Sequence, residues 1–187
     1  MLTWMEGIKT RSVTFLKCDK VILNMEIKDR QRFRYKNFIE AALCAIIIDN
    51  LKQCEVDPKS ITVITPFLDQ SILLNEHLKP YGIRQVLTID KCQGIDCDIV
   101  ILSCTKQTPD QGVLLKDLKR LNVALTRAKK MLVVIGTEKY LQDISPLDQI
   151  VDKLNSEGWV QELNSFDSQM CSYLPKDSKK YIEFTNA

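Results

Sequence analysis

None of the six glycines in this 187-residue chain is followed by lysine, so the Gly-Lys-Ser/Thr loop that cradles a triphosphate in phosphate-loop enzymes is missing. That excludes a self-contained ATPase of this class, which needs backbone amides and a lysine around the phosphates and a carboxylate on magnesium. Histidine is nearly absent too: His77 stands alone, and the seven cysteines include no Cys-x-x-Cys pair. A closed zinc site takes four ligands, so no metal centre is expected, and nothing orients His77 toward a cysteine nucleophile. The cysteine count is odd, and Cys44, Cys97 and Cys104 sit in apolar or strand-like surroundings. They read as reduced thiols of an intracellular protein, packed as small hydrophobes.

Long apolar runs are missing as well. The longest, Ala41 to Ile48, falls far below the roughly 18 residues of a membrane span, and the mixed start Met1 to Arg11 carries no secretory signal. The balance of 26 Lys and Arg against 24 Asp and Glu leaves a net charge of +2, which is no polybasic signature. Any affinity for nucleic acid must come from local placement of charge.

What is present is an alternation of short β-branched runs with helical patterns, the mark of an α/β domain with a mainly parallel sheet. Strands are predicted at Val13–Leu16, Ile61–Thr65, Arg84–Ile89, Asp98–Cys104 and Met131–Ile135. Asn37 with Glu40 resembles a capping pair opening a helix to about Gln53, apolar on most sides. Asp69–Leu78 is expected as a helix with Ile72, Leu73 and Leu74 toward the core. Leu114, Leu118, Leu121 and Leu125 recur as a helical stripe, and Leu147, Ile150, Val151 and Leu154 form the apolar face of a helix stopped by Gly158. The stretches Lys28–Lys36 and Gln107–Gly112 read as loops. Residues 1–12 are expected as a truncated or flexible lead-in, 13–162 as the folded domain, and 163–187 as a loosely attached polar tail.

Three segments carry chemistry, in this order: Thr65-Pro66-Phe67 with Gln70; Thr88-Ile89-Asp90-Lys91-Cys92-Gln93-Gly94-Ile95-Asp96; and Arg120-Leu121-Asn122-Val123-Ala124-Leu125-Thr126-Arg127-Ala128. The second puts Gln, Gly and a carboxylate in a loop after a strand. The third places Arg120 and Arg127 two turns apart on one predicted helix. These cationic and polar groups are expected at the C-terminal ends of parallel strands, where such sheets usually take ligands.

In order and content the three segments resemble motifs IV, V and VI of the second RecA-like domain of superfamily 1 helicases. The similarity is to the branch shared by the RNA helicases of nonsense-mediated decay and the replication helicase/nucleases that process Okazaki flaps. The DNA enzymes are the nearer match, on Val13-Thr14-Phe15-Leu16-Lys17-Cys18-Asp19-Lys20-Val21, Asp96, Leu114-Leu115-Lys116-Asp117 and Leu154-Asn155-Ser156-Glu157. Two positions depart from the pattern: Ile95 and Lys119 stand where the family commonly has Arg.

The resemblance implies a RecA-like mainly parallel sheet with helices on both faces. It implies that Arg127 is the catalytic arginine finger, reaching a γ-phosphate held by the first RecA-like domain of the same protein. A guanidinium suits that role because it stays charged and grips two oxygens. Gln93, Gly94 and Asp96 would approach the nucleotide. Arg120 would either contact it or pair with Asp96 or Asp117, and Gln70 would either reach the nucleotide or cap its helix. Thr65 and Thr88 would face phosphates of single-stranded DNA, with Lys91 as a phosphate neighbour or a solvated cation; such contacts set register without reading sequence. Phe67 would stack on a base or pack in the core. ATP and Mg²⁺ are implied, held mainly by the first domain, which this chain does not include; an iron-sulfur cluster would belong to an upstream region. Replication or repair proteins are implied as partners, with no membrane, and the nucleus, with mitochondria as a second address, as location. An RNA-directed relative and a non-catalytic binding fragment are the alternative readings.

Overall fold

The computed structural model describes residues 3–22, 25–27, 35–105, 117–142, 145, 147–176 and 178–184. The strands are β1 (Val13–Lys17), β2 (Met25–Ile27), β3 (Ile61–Thr65), β4 (Gln85–Thr88), β5 (Cys97–Ser103), β6 (Ala128–Gly136), β7 (Val160–Glu162) and β8 (Ile182–Phe184). The helices are α1 (Thr3–Lys9), α2 (Asp19–Ile22), α3 (Phe38–Gln53), α4 (Leu68–Leu78), α5 (Leu118–Leu125), α6 (Glu138–Leu141), α7 (Leu147–Ser156) and α8 (Ser168–Cys171). Six strands form one sheet in the order β4-β3-β5-β6-β1-β7, every pair parallel, while β2 and β8 pair antiparallel beside it.

Side-chain alternation along the central strands divides the core into two layers. Val63, Ile99, Ile101, Val133 and Ile135 face the layer that contains α1, α3 and α4. Their neighbours Ile64, Val100, Leu102, Leu132 and Val134 face α5 and α7. A strand covered on both faces cannot alternate apolar with polar, which is why β5 runs Ile99-Val100-Ile101-Leu102 without a break. The helix α3 follows the same logic: Phe38 to Ile48 is buried throughout, so its sequence shows almost no polar face. Its start is the anticipated cap, with the Asn37 side chain accepting from the Glu40 N–H at 3.0 Å.

Several expectations need correction. Ile72 is 46% exposed while Leu74 is fully buried, because consecutive helical residues are turned about 100° apart and three in a row cannot share one side. The strand at 84–89 is shorter, its last residue being Thr88, and Ile89–Lys91 is a 3-10 turn. Leu114 lies outside the described residues. The lead-in contains α1, whose Met5 and Ile8 are fully buried. The polar tail is docked as well: Leu163, Met170, Leu174 and Ile182 join the α3 layer, and the Tyr173 hydroxyl donates to Asp49 at 2.8 Å. Met170→Ala is therefore expected to destabilise the whole chain by about 2 kcal/mol, the low end for truncating a buried Met. Urea unfolding would check this, and an unchanged midpoint would show that the tail adds nothing to the core.

No disulfide joins the cysteines, and Cys44, Cys97 and Cys104 are buried. Among the described residues, no helix is long and apolar enough to cross a membrane.

Candidate functional site

The chain passes from β4 to the parallel β5 through only Ile89 to Asp96, so this crossing is extended over the α5 face rather than wound into a long helix. Ile89 and Cys92 are its buried pins, with the Cys92 thiol donating to the Ile89 carbonyl at 3.0 Å. Between the pins and β5, Gln93 and Gly94 are exposed, and Gly94 has φ +74°, a left-handed conformation that only glycine adopts without strain.

Alongside runs α5. Its cap is Asp117, which accepts from the N–H groups of Lys119 and Arg120, and Leu121 and Ala124 anchor it in the core. The helix ends at Leu125, earlier than the sequence suggested. Thr126 turns its hydroxyl back to the Asn122 carbonyl at 2.8 Å, and the Arg127 N–H goes to the Ala124 carbonyl. Arg127 is thus in the turn before β6, not two helical turns from Arg120.

That turn fixes the guanidinium. Nε donates to the Val123 carbonyl at 2.8 Å, one terminal nitrogen to the Thr126 hydroxyl at 3.2 Å, and the other lies 3.6 Å from an Asp96 oxygen. The side chain is 21% exposed, so it is not sealed in the packed interior, and it meets the end of the Ile89–Asp96 crossing at Asp96. The Cys92 thiol registers the same proximity: burial pushes it up, and the Arg127 charge is the largest influence pulling it down. Asp96 also meets Lys129 at 3.4 Å, and its backbone carbonyl accepts from Arg84. Arg120 takes its own partners, Asp90 at 3.3 Å and Asp117 at 3.2 Å. Of the two pairings offered beside ligand contact, the one with Asp117 is present and the one with Asp96 is not found among the described residues.

The site residues fall at two ends of the sheet. Arg127 and Asp96 flank the first residues of β6 and β5, where the Cys97 N–H donates to the Arg127 carbonyl at 3.0 Å. This corrects the expectation of a place at the C-terminal ends of strands for Arg127 and Asp96; Arg120, paired with Asp90 just past β4, keeps to it. At those C-terminal ends are Thr65 and Thr88, side by side in the β3–β4 register, with Lys91 exposed just beyond.

Three expected ligand contacts at that rim are taken up internally. Thr65 is fully buried, its hydroxyl 3.2 Å from that of Thr105. Gln70, also fully buried, accepts from the Asn37 N–H at 2.8 Å and donates to the Asn37 carbonyl and the Ser103 hydroxyl. It neither caps α4 nor offers its amide to a ligand. Phe67 is 5% exposed and packs against the Tyr35 ring, centroids 5.1 Å apart, so it is a core residue rather than a base platform. Thr88, half-buried, makes no capping bond with its side chain.

Sequence reasoning missed the group at the centre of the rim. Glu40 is fully buried and accepts from Ser103 Oγ at 2.6 Å, from the Thr105 N–H at 2.9 and 3.0 Å, and from Asn37 Nδ2 at 3.0 Å. Burial pushes its carboxyl up to about 7 against these stabilising bonds. The available signal was a single carboxylate inside an otherwise apolar helix, since such a group is buried only with donors around it.

Residues 3–139 match the family described as AAA domain. The chain belongs to this family. It is 31% identical over 183 residues, 95% of its own length, to the DNA replication ATP-dependent helicase/nuclease DNA2 of Mus musculus, and 32% identical over 166 residues to the DNA replication ATP-dependent helicase/nuclease JHS1 of Arabidopsis thaliana. It spans 17% of the mouse protein and 12% of the plant one. The C-terminal domain of a possible DNA helicase from Lactobacillus plantarum WCFS1 is a solved structure of similar outline, with 13% identity, a TM-score of 0.48, and coverage of 88% of this chain and 97% of that one. The chain is an α/β domain of this family with a parallel six-stranded sheet, similar to the DNA2 helicase/nucleases.

Proposed function

We propose that this AAA domain is the C-terminal RecA-like half of an ATP-dependent DNA helicase of the helicase/nuclease type. It supplies Arg127 as the finger to a triphosphate seated on the first RecA-like domain, and its C-terminal rim forms part of the single-strand track. One observation carries the reading: the Arg127 guanidinium is 21% exposed beside Asp96, held by a backbone carbonyl and by a weak carboxylate contact that a γ-phosphate can replace.

The donors present fit that ligand. Arg127, Arg120 and Gln93 suit phosphate oxygens, and Asp96 suits a ribose hydroxyl. Mg²⁺ would be held mainly by the first RecA-like domain, beside the phosphates seated there. ATP bound by the other half supplies the energy for movement along DNA, and closure of the cleft would bring Arg127 to it. On the strand side, Thr88 and Lys91 are the accessible groups. An iron-sulfur cluster and nuclease, as in the helicase/nuclease family, would belong to other parts of the protein. Replication partners are part of the same reading, supported by the word replication in the names of the DNA2 relatives; repair partners and nuclear or mitochondrial residence are proposed with it on the resemblance alone.

The 187-residue chain by itself is expected to hydrolyse no ATP, with or without single-stranded DNA, and to bind an oligo-dT strand only weakly. Steady-state phosphate release checks the first. A turnover of about one per second, ordinary for an enzyme, would overturn the division of labour proposed here.

A further inference from the structure

The C-terminal rim is built around one side chain that belongs to no motif. Glu40, in the first turn of α3, receives donors from three separated pieces of chain: Asn37 before its own helix, Ser103 at the end of β5, and Thr105 just past it. The bonds link the start of α3 to residues 63 and 65 positions away. Around this centre a second shell closes. Gln70 of α4 grips both the N–H and the carbonyl of Asn37 and donates to Ser103 Oγ, and the Thr105 hydroxyl meets those of Ser103 and Thr65. Every one of these residues is fully buried.

Thr105 shows what the arrangement does. Its φ is +61°, the left-handed region that a β-branched residue avoids. It is held there by its N–H, which lies within 3.0 Å of both oxygens of the Glu40 carboxyl. A β-branched residue keeps such a conformation only where its surroundings over-determine it. Thr105 is the point at which the chain leaves the central strand, next to the end of β3 through Thr65, and Thr65 is in register with Thr88 of β4.

We propose that Glu40 is the positioning residue of the single-strand rim, clamping Thr105 in its left-handed turn and thereby setting the ends of β3, β4 and β5 against which DNA phosphates are received. The inference rests on the strand-binding half of the function proposed above. It assigns the work of Thr65 and Gln70 to supporting the rim from behind rather than to touching ligand. Glu40 itself touches no ligand.

Two variants separate positioning from general stability. In Glu40→Gln the amide oxygen still accepts from Thr105 and Asn37 while its nitrogen donates to Ser103 Oγ, so the clamp largely persists. In Glu40→Ala no acceptor remains. The titratable groups that face the Glu40 carboxyl are the thiols of Cys18, Cys44 and Cys104, all pushed up by burial first and by Glu40 next. They stay neutral through the accessible range, so the pH response of the Thr105 amide reports Glu40 alone.

The experiment uses the full 187-residue chain, with amide proton spectra by NMR and anisotropy of a labelled oligo-dT strand at low salt. The Thr105 amide resonance is expected to move with pH in the wild type, to stay fixed in Glu40→Gln, and to lose its shifted position in Glu40→Ala. Oligo-dT affinity is expected to fall about tenfold in Glu40→Ala and to remain within about threefold in Glu40→Gln, the scale of one buried charge-assisted bond. A Thr105 amide indifferent to Glu40→Ala overturns the clamp. A displaced amide with wild-type affinity in Glu40→Ala overturns its role in strand binding. A wild-type chain with an intact clamp that binds no oligo-dT at all overturns the strand-binding reading itself, and the assignment to DNA with it.

Discussion

Arg127→Ala, introduced into the two-lobed enzyme proposed above, is expected to lower DNA-stimulated ATP turnover by about 10³- to 10⁵-fold, the range for a removed arginine finger. Nucleotide affinity should change little, because the ground-state contacts to base and inner phosphates come from the other lobe. The size of the loss follows from the geometry. Nε is occupied by the Val123 carbonyl, which leaves the two terminal nitrogens directed away from the helix toward Thr126 and Asp96. A guanidinium restrained in this way needs little reorganisation to meet charge developing on a γ-phosphate, and preorganised donors are effective for that reason. Arg127→Lys should recover little, since an ammonium on a flexible stem can neither hold the Val123 carbonyl and two phosphate oxygens together nor reproduce the planar fork. Asp96, by contrast, is 56% exposed at a contact of 3.6 Å. Its hold on the finger is that of a surface pair, at most about 1 kcal/mol, and a triphosphate displaces it readily. Single-turnover hydrolysis together with binding of a fluorescent nucleotide would separate the two effects. Wild-type turnover in Arg127→Ala would remove the finger role altogether.

The placement of Arg127 was only half legible from sequence. Segment order announces the residue, but the helix end at Leu125 depends on Thr126 folding its hydroxyl back to Asn122, and threonine is no obligate helix breaker. The strand β5 was legible because four consecutive apolar residues have one economical explanation, burial on both faces. The docked tail was not, because its anchors, Met170, Leu174 and Ile182, are isolated in a polar stretch and follow no period. The least legible feature was the internal use of Thr65 and Gln70. Their side chains are suited equally to a phosphate or to a buried partner, and the choice was made by residues 40 and 33 positions away. A local pattern holds no record of such pairings. The unusual residue in the pattern was Glu40, whose neighbours in sequence are apolar and two of whose three donors, Ser103 and Thr105, come from more than sixty residues away.

That carboxylate also makes the fold sensitive to pH, in a direction opposite to most acids. Its folded pKa of about 7 lies above the ordinary 4.5, so between those values the folded chain keeps a proton that the unfolded chain releases. Stability from this group is full below pH 4.5 and declines as pH rises toward 7, by roughly 3 kcal/mol at 1.36 kcal/mol per unit. The hydroxyls accommodate both forms. Ser103 donates to the carboxylate, or accepts from the carboxylic acid and passes its own proton toward Thr105 at 3.3 Å. Other groups slope the opposite way. Burial lowers His77, so its contribution is present above the unfolded value of 6.5 and lost as pH falls. Glu138, lowered by Lys17 and Asn155 in spite of its partial burial, likewise stabilises above the unfolded 4.5. Glu40→Gln leaves those slopes in place and removes only its own, because the amide does not titrate. The difference in unfolding free energy between wild type and Glu40→Gln, from urea titrations at pH 5 and pH 8, is therefore expected to move by roughly 3 kcal/mol in favour of the variant as pH rises. Parallel curves for the two proteins would mean that Glu40 keeps its ordinary pKa, and that its three donors, rather than its burial, decide its charge.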